Sequence, residues 1–167
     1  MSETHNLIAE EAIEKLQDLV SKSNTCMFAS NLSEVPLHVS PMRVQEADYD
    51  GRLWFFSEAD STRNKHINAD PRVQLIFTNT PEMEFLTVYG TATITTDKKL
   101  IDRLWNGVVE AWFDGKDDPN ITIICVQPAA AHYWDTEDGK LVTMAKILTR
   151  AATGSDIPIG QEGKLDI

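Results

Sequence analysis

Cysteine is scarce in this sequence: Cys26 and Cys125 stand alone, with no C-x-x-C pair. That removes a disulfide framework and any thiolate-built zinc site from consideration. Both cysteines lie in apolar runs and read as buried free thiols. One disulfide between them stays open, although a reducing compartment suits two isolated thiols better. Positive charge is also in short supply, with 15 Lys and Arg against 26 Asp and Glu and a net charge of −11. A chain this acidic offers no broad surface to nucleic acid or to an anionic membrane. No stretch approaches the roughly 18 apolar residues of a membrane span, and no basic segment followed by an apolar one opens the chain. The expected setting is the cytoplasm. Also missing are a G-x-G-x-x-G turn, a Walker loop and any Ser/His/Asp arrangement. His38, His66 and His132 are scattered without metal-type spacing and read as surface or interface histidines, so neither a metal site nor a catalytic acid–base set is expected.

What is present suits one globular domain of 167 residues, 42% hydrophobic, with four Trp. "LIAEEAIEKLQDLV" (7–20) places Ala9, Ala12, Ile13, Leu16, Leu19 and Val20 at helical spacing, with Asn6 as its expected cap. Strand-like runs then follow at 25–31, 37–47, 52–57, 73–79 and 85–96, with "YDGR" (49–52) as a hairpin turn. In "FLTVYGTATITT", Leu86, Val88, Ala92 and Ile94 alternate with Thr87, Tyr89, Thr91, Thr93 and Thr95. That is a half-buried strand in which Gly90 marks a bulge or a close approach. "DKKLIDRLWN" reads as a helix capped by Asp97, "ITIICVQ" (121–127) as a strand, and "AHYWD" (131–135) as its continuation past Pro128. The expected fold class is mainly β, a barrel with a few peripheral helices spanning residues 1–150. Residues 151–167, polar and Gly-containing, read as a tail or loosely docked arm.

One stretch runs against the acidic background. "DSTRNKHINADP" lies between two strands, so Asp60 or Ser61 can cap a short helix that Asp70 and Pro71 end. A helix N-terminus offers free N–H groups and partial positive charge; Ser61 and Thr62 add hydroxyls, and Arg63 adds a planar fork that matches phosphate oxygens. Ser57, on the preceding strand, can add another hydroxyl. Arg43, inside the strand-like "VSPMRVQ", can reach the same anion if the two strands are neighbours. On residue types alone, a solvated surface turn and an outward-facing Arg43 explain the pattern equally well.

Taken together, "PMRV", "LWFFSEADSTRNKHINADPRVQLIFTN", "FLTVYGTATIT" and "WFDGKDDPNITIICVQPAAAHYWD" resemble the pyridoxamine 5′-phosphate oxidase-like split barrels, in particular their bacterial general stress proteins. The resemblance covers roughly residues 7–150 in unbroken order. It implies a split β-barrel that binds FMN and acts as a homodimer with flavins at the interface. It also implies that Arg43, next to Val44, approaches the flavin phosphate, and that Ser57, preceded by Phe56, contributes its hydroxyl. Two consecutive basic positions of the oxidases fall on Thr62 and Arg63, so only one charge is kept. Trp134 falls where relatives place an aromatic near the partner's flavin.

The departures carry as much information. Phe85 occupies the position of a flavin-contacting Gln. The run "TEDGKLVTMAK" has neither residue of the oxidases' Arg-x-His substrate pattern. The resemblance therefore implies a retained cofactor site without the vitamin substrate site. Two functions follow: a small flavin-dependent oxidoreductase that takes electrons from a reduced nicotinamide or another small redox substrate, or a non-catalytic flavin-binding or stress-sensing protein. A phosphate anchor suits FMN and FAD alike. A more distant reading fills the barrel with haem, with His132 as ligand, or with a deazaflavin.

Overall fold

A computed structural model describes residues 3–136, 139–155 and 158–167. Two short strands, β1 (Glu3–Thr4) and β2 (Leu7–Ile8), precede helix α1 (Ala9–Ser23). Then come β3 (Thr25–Ser30), β4 (His38–Arg43), β5 (Glu46–Ala47), β6 (Leu53–Glu58), α2 (Thr62–Ala69), β7 (Arg72–Asn79) and β8 (Glu84–Thr95). The chain continues through α3 (Lys98–Leu104), α4 (Gly107–Glu110), β9 (Ile121–Asp135), α5 (Gly139–Thr153) and β10 (Gln161–Asp166).

Antiparallel ladders run β6–β9–β8–β7–β3–β4. The chain leaves β4 through Val44 and Gln45 into β5, which pairs back onto β6. The circuit therefore closes through β5 alone, and β4 and β6 part above it. This is the expected split barrel, mainly β with few helices. Phe28, Phe55, Leu75, Val88, Ile124 and Val126 fill its interior, and Ala12, Leu16, Leu19 and Val20 of α1 close one end. That stripe of four on one helical face is why α1 docks there. "LWFF" in β6 is continuously apolar because both of its faces are covered. Leu53 and Phe55 point into the barrel, while Trp54 and Phe56 join Ile101, Leu104 and Val109 in a second cluster beneath α3 and α4.

Gly90 sits at the bulge in the β8–β9 ladder, opposite Pro128. A Cβ there would lie 2.3 Å from the Gln127 carbonyl oxygen. Gly90→Ala should therefore cost about 1–3 kcal/mol of stability through forced backbone displacement. Urea titration checks this, and an unchanged midpoint would remove the steric argument.

Three expectations change. Asn6 does not cap α1, whose cap position is Ile8; its side-chain oxygen instead accepts from the Lys164 N–H of β10 at 2.9 Å. The 37–47 run breaks after Arg43 into β4 and β5, because the barrel changes pairing partner there. The described residues beyond 150 are not the loose tail or loosely docked arm expected. They end α5 and then supply β10, which pairs antiparallel with β9 and parallel with β1 and β2. Gly163 is required in that strand, since a Cβ would fall 1.9 Å from the His5 carbonyl oxygen.

Candidate functional site

The parting of β4 and β6 opens a cleft of about 400 Å³. Pro41, Met42 and Arg43 line one side, Phe56, Ser57 and Glu58 the other, Arg63 the floor, and Val108, Val109, Trp112 and Phe113 the far wall. Its volume falls within the range typical of small-molecule sites.

The floor is built by the start of α2. Ser61 caps the helix, its hydroxyl accepting from the Asn64 N–H at 3.2 Å. This leaves the Thr62 and Arg63 N–H groups outside the helix's own bonding pattern. The capped turn swings Arg63 under the gap, where its guanidinium donates to Ser40 Oγ at 2.8 Å and Ser57 Oγ at 3.0 Å. The same group lies over the Phe28 ring at 5.8 Å. Its Nε is buried with no acceptor. Burial pushes the Arg63 pKa down from its ordinary value, while Glu58 and Cys26 pull it up. A guanidinium remains charged under such opposing influences.

Ser57 is itself fixed. Its hydroxyl donates to Asn64 Oδ1 at 2.9 Å, Asn64 Nδ2 donates to Thr122 Oγ1 at 2.9 Å, and Thr122 Oγ1 donates to the Ser57 carbonyl at 2.7 Å. Every member of this buried ring is satisfied, so the hydroxyl is held in one place. Arg43 stands at the exposed rim, one of its N–H groups bonded to Asn24 Oδ1 at 3.0 Å. Two cations and a fixed hydroxyl thus face one small cleft in which Glu58 is the one acidic residue. Among the described residues none accepts from the buried Arg63 Nε, a donor that wants a partner. The chemistry of this donor set is that of an anion site, and a phosphate fits it.

Of the residues singled out in the sequence, Arg43, Phe56, Ser57 and Arg63 meet at the cleft. Val44 is buried in the barrel core beside it. Ser61 acts through its cap, with its hydroxyl 3.3 Å from that of Ser57. Thr62 is exposed on the first turn of α2. Trp134 is elsewhere. It lies on the outer face of β9 opposite Phe85, its ring 4.5 Å from that of His132. β9 runs directly beside β6, but the residues that pair with Phe56, Ser57 and Glu58 are Ile121–Ile123 at its start, and Trp134 lies near its other end.

Sequence reading passed over Ser40, Asn64 and Thr122. An Asn one position past a cationic residue, three after the capping Ser61, was the available signal for Asn64. His38 and His66 are not scattered. Their rings meet edge to face at 5.0 Å, and both Nδ1 atoms approach the buried Ser30 hydroxyl, at 3.4 and 3.1 Å. Both cysteines are free. Cys26 is buried, and burial pushes its thiol up to about 12. Cys125 is half-buried, less deep than expected, and is likewise shifted upward by burial. Among the described residues, no group of three or more His, Cys, Asp or Glu is placed to hold a metal, and no helix is long and apolar enough to cross a membrane.

Residues 11–158 match the model of the pyridoxamine 5′-phosphate oxidase-like family. A 44-residue stretch is 43% identical to general stress protein 26 of Bacillus subtilis, covering 26% of this chain and 31% of that protein. A solved structure from Jannaschia sp. CCS1, assigned to general stress protein 26, shares the fold over 94% of this chain and 98% of that one, with a TM-score of 0.77 and 23% identity. A second, the general stress FMN/FAD binding protein of Xanthomonas citri, covers 77% of this chain and 92% of its own, with a TM-score of 0.67 and 28% identity. The match over most of the chain, on a split barrel, means that the protein belongs to the pyridoxamine 5′-phosphate oxidase-like family, where its likeness is to the general stress proteins.

Proposed function

We propose that the cleft anchors the phosphate of a flavin, FMN in the first instance, and that the protein is a small flavin-dependent oxidoreductase. The observation that carries this reading is the buried Arg63 Nε without an acceptor, in a floor where Ser57 is already fixed. Arg63 and Ser57 would hold phosphate oxygens from below, Arg43 from the rim, and Phe56 would pack beside them. When bound, the flavin supplies the redox chemistry. The protein's own residues bind, orient and exclude water. The FMN/FAD binding named for the Xanthomonas citri relative supports a flavin and leaves FAD as an alternative to FMN.

Trp134 would join such a site from a second copy, because on its own chain it lies at the end of β9 remote from the residues that pair with Phe56, Ser57 and Glu58. The proposal therefore includes a homodimer with the flavin between protomers. The face around Trp134 suits this: Phe85, Ile76, Met27 and Val39 are exposed along the same side of the sheet. Light scattering should give about twice the chain mass, and a monomer would detach Trp134 from the site.

The test of the cofactor is an absorption spectrum after incubation with FMN and removal of the excess. Retained bands at about 375 and 450 nm are expected, and a colourless protein would end the flavin assignment. A second reading, a non-catalytic flavin carrier or stress sensor, is favoured by the missing Arg-x-His pattern after Trp134. Repeated bleaching by reduced nicotinamide and reoxidation by an acceptor would separate the enzyme from the carrier.

A further inference from the structure

The far wall of the cleft is more apolar and more exposed than a phosphate anchor needs. It is the short helix α4 with Trp112 and Phe113 just beyond its end. Asn106 fixes it, its Oδ1 accepting from the Val108 and Val109 N–H groups at 3.0 and 3.2 Å. The Asn106 Nδ2 also donates to Gln45 Oε1 at 2.8 Å, which ties this wall to the segment just after Arg43. Phe113 turns inward onto Phe56, with ring centroids 6.1 Å apart. Trp112 does not. Its indole lines the cleft yet is 76% exposed, beside Val108 at 48%. An exposed indole that lines the same cleft as the rim Arg43 offers a flat ring a stacking surface and offers the ring's phosphate a charge.

Resting on the flavin reading above, we infer that this rim is an adenylate site, in which a purine stacks on Trp112 while its phosphate meets Arg43. The floor at Arg63 and Ser57 would hold one phosphate and the rim a second, so a diphosphate can run from floor to rim. Glu58, exposed on the same edge, opposes this charge and is outweighed by two guanidiniums. The adenylate has two sources: half of FAD, or a free adenine nucleotide.

The experiment titrates FMN, FAD and ADP into the wild-type protein, Trp112→Ala and Trp112→Phe, by calorimetry and tryptophan emission. Trp112 is exposed, so both variants should unfold at the wild-type midpoint. The expected result is a loss of about tenfold or more in FAD and ADP affinity for Trp112→Ala, substantial recovery in Trp112→Phe, and a clearly smaller loss for FMN than for FAD. ADP binding to protein already loaded with FMN would identify the free nucleotide as the source. ADP excluded by FAD and failing to bind beside FMN would identify the dinucleotide. Equal FAD and ADP affinity in all three proteins would overturn the inference. So would an FMN loss as large as the FAD loss, since Trp112 would then be a wall of the flavin pocket itself. If the wild-type protein retains neither flavin, the flavin reading fails, and the adenylate site stands or falls on the Trp112 dependence of ADP binding alone.

Discussion

Arg63→Ala should weaken FMN binding by about 1.5–3 kcal/mol, the usual worth of a hydrogen bond to a charged group, or roughly 10- to 150-fold in Kd. The guanidinium sits on the floor of the cleft, held by Ser40 and Ser57, with its Nε buried and unanswered. No other cation of the cleft is buried at that depth, since Arg43 stands at the exposed rim. Folding should be little affected, within about 1 kcal/mol, because two lost hydrogen bonds are offset by no longer burying a charge. Binding and stability should therefore separate. Arg63→Lys should recover only part of the affinity, since an ammonium keeps the charge and loses the planar fork. Calorimetric titration with FMN checks both variants, and an unchanged Kd in Arg63→Ala would take the phosphate away from this floor.

The second large effect is on the fold. Asp48→Ala should lower stability by about 3 kcal/mol. Asp48 is buried in the turn between β5 and β6, and its carboxylate accepts from four donors. These are the Trp54 indole N–H at 2.9 Å, Arg52 Nε at 2.9 Å, and the backbone N–H groups of Asp50 and Arg52 at 3.0 and 2.9 Å. Removing the carboxylate strands a buried indole N–H and two turn amides at once. Asp48→Asn keeps an acceptor of similar shape and should cost less. Urea unfolding followed by tryptophan fluorescence measures both, and a shift under about 1 kcal/mol for the alanine variant would mean that water replaces the carboxylate.

Legibility in the sequence followed the range of the contacts. The alternation in β8, the Asp97 cap and the Ser61-capped turn are set by neighbours within a few residues, and the structure carries each of them. Asn6 misled because its partner, Lys164, is 158 residues away. β10 looked like a tail because "QEGKLD" turns only Gly163 and Leu165 inward, too sparse a pattern to announce a strand. The His38–Ser30–His66 cluster joins β4, β3 and α2, and spacing along the chain does not encode it. The cleft was half legible: residue types pointed to Arg63 and Ser57, while the buried ring through Asn64 and Thr122 needed the strand pairing that brings β6 onto β9.

The place of β10 between β9 and the two N-terminal strands also bears on the order in which the chain can be assembled. Residues 3–8 have no sheet partner until residues 161–166 arrive, so the segment synthesised early must wait for one synthesised late. Until then the Ala131–Asp135 edge of β9 stays open, an unpaired strand of the kind that joins other chains. On the ribosome, the barrel can close around α1 before its edge is sealed, and the interval between those two events is when a nascent copy is most exposed to wrong pairing.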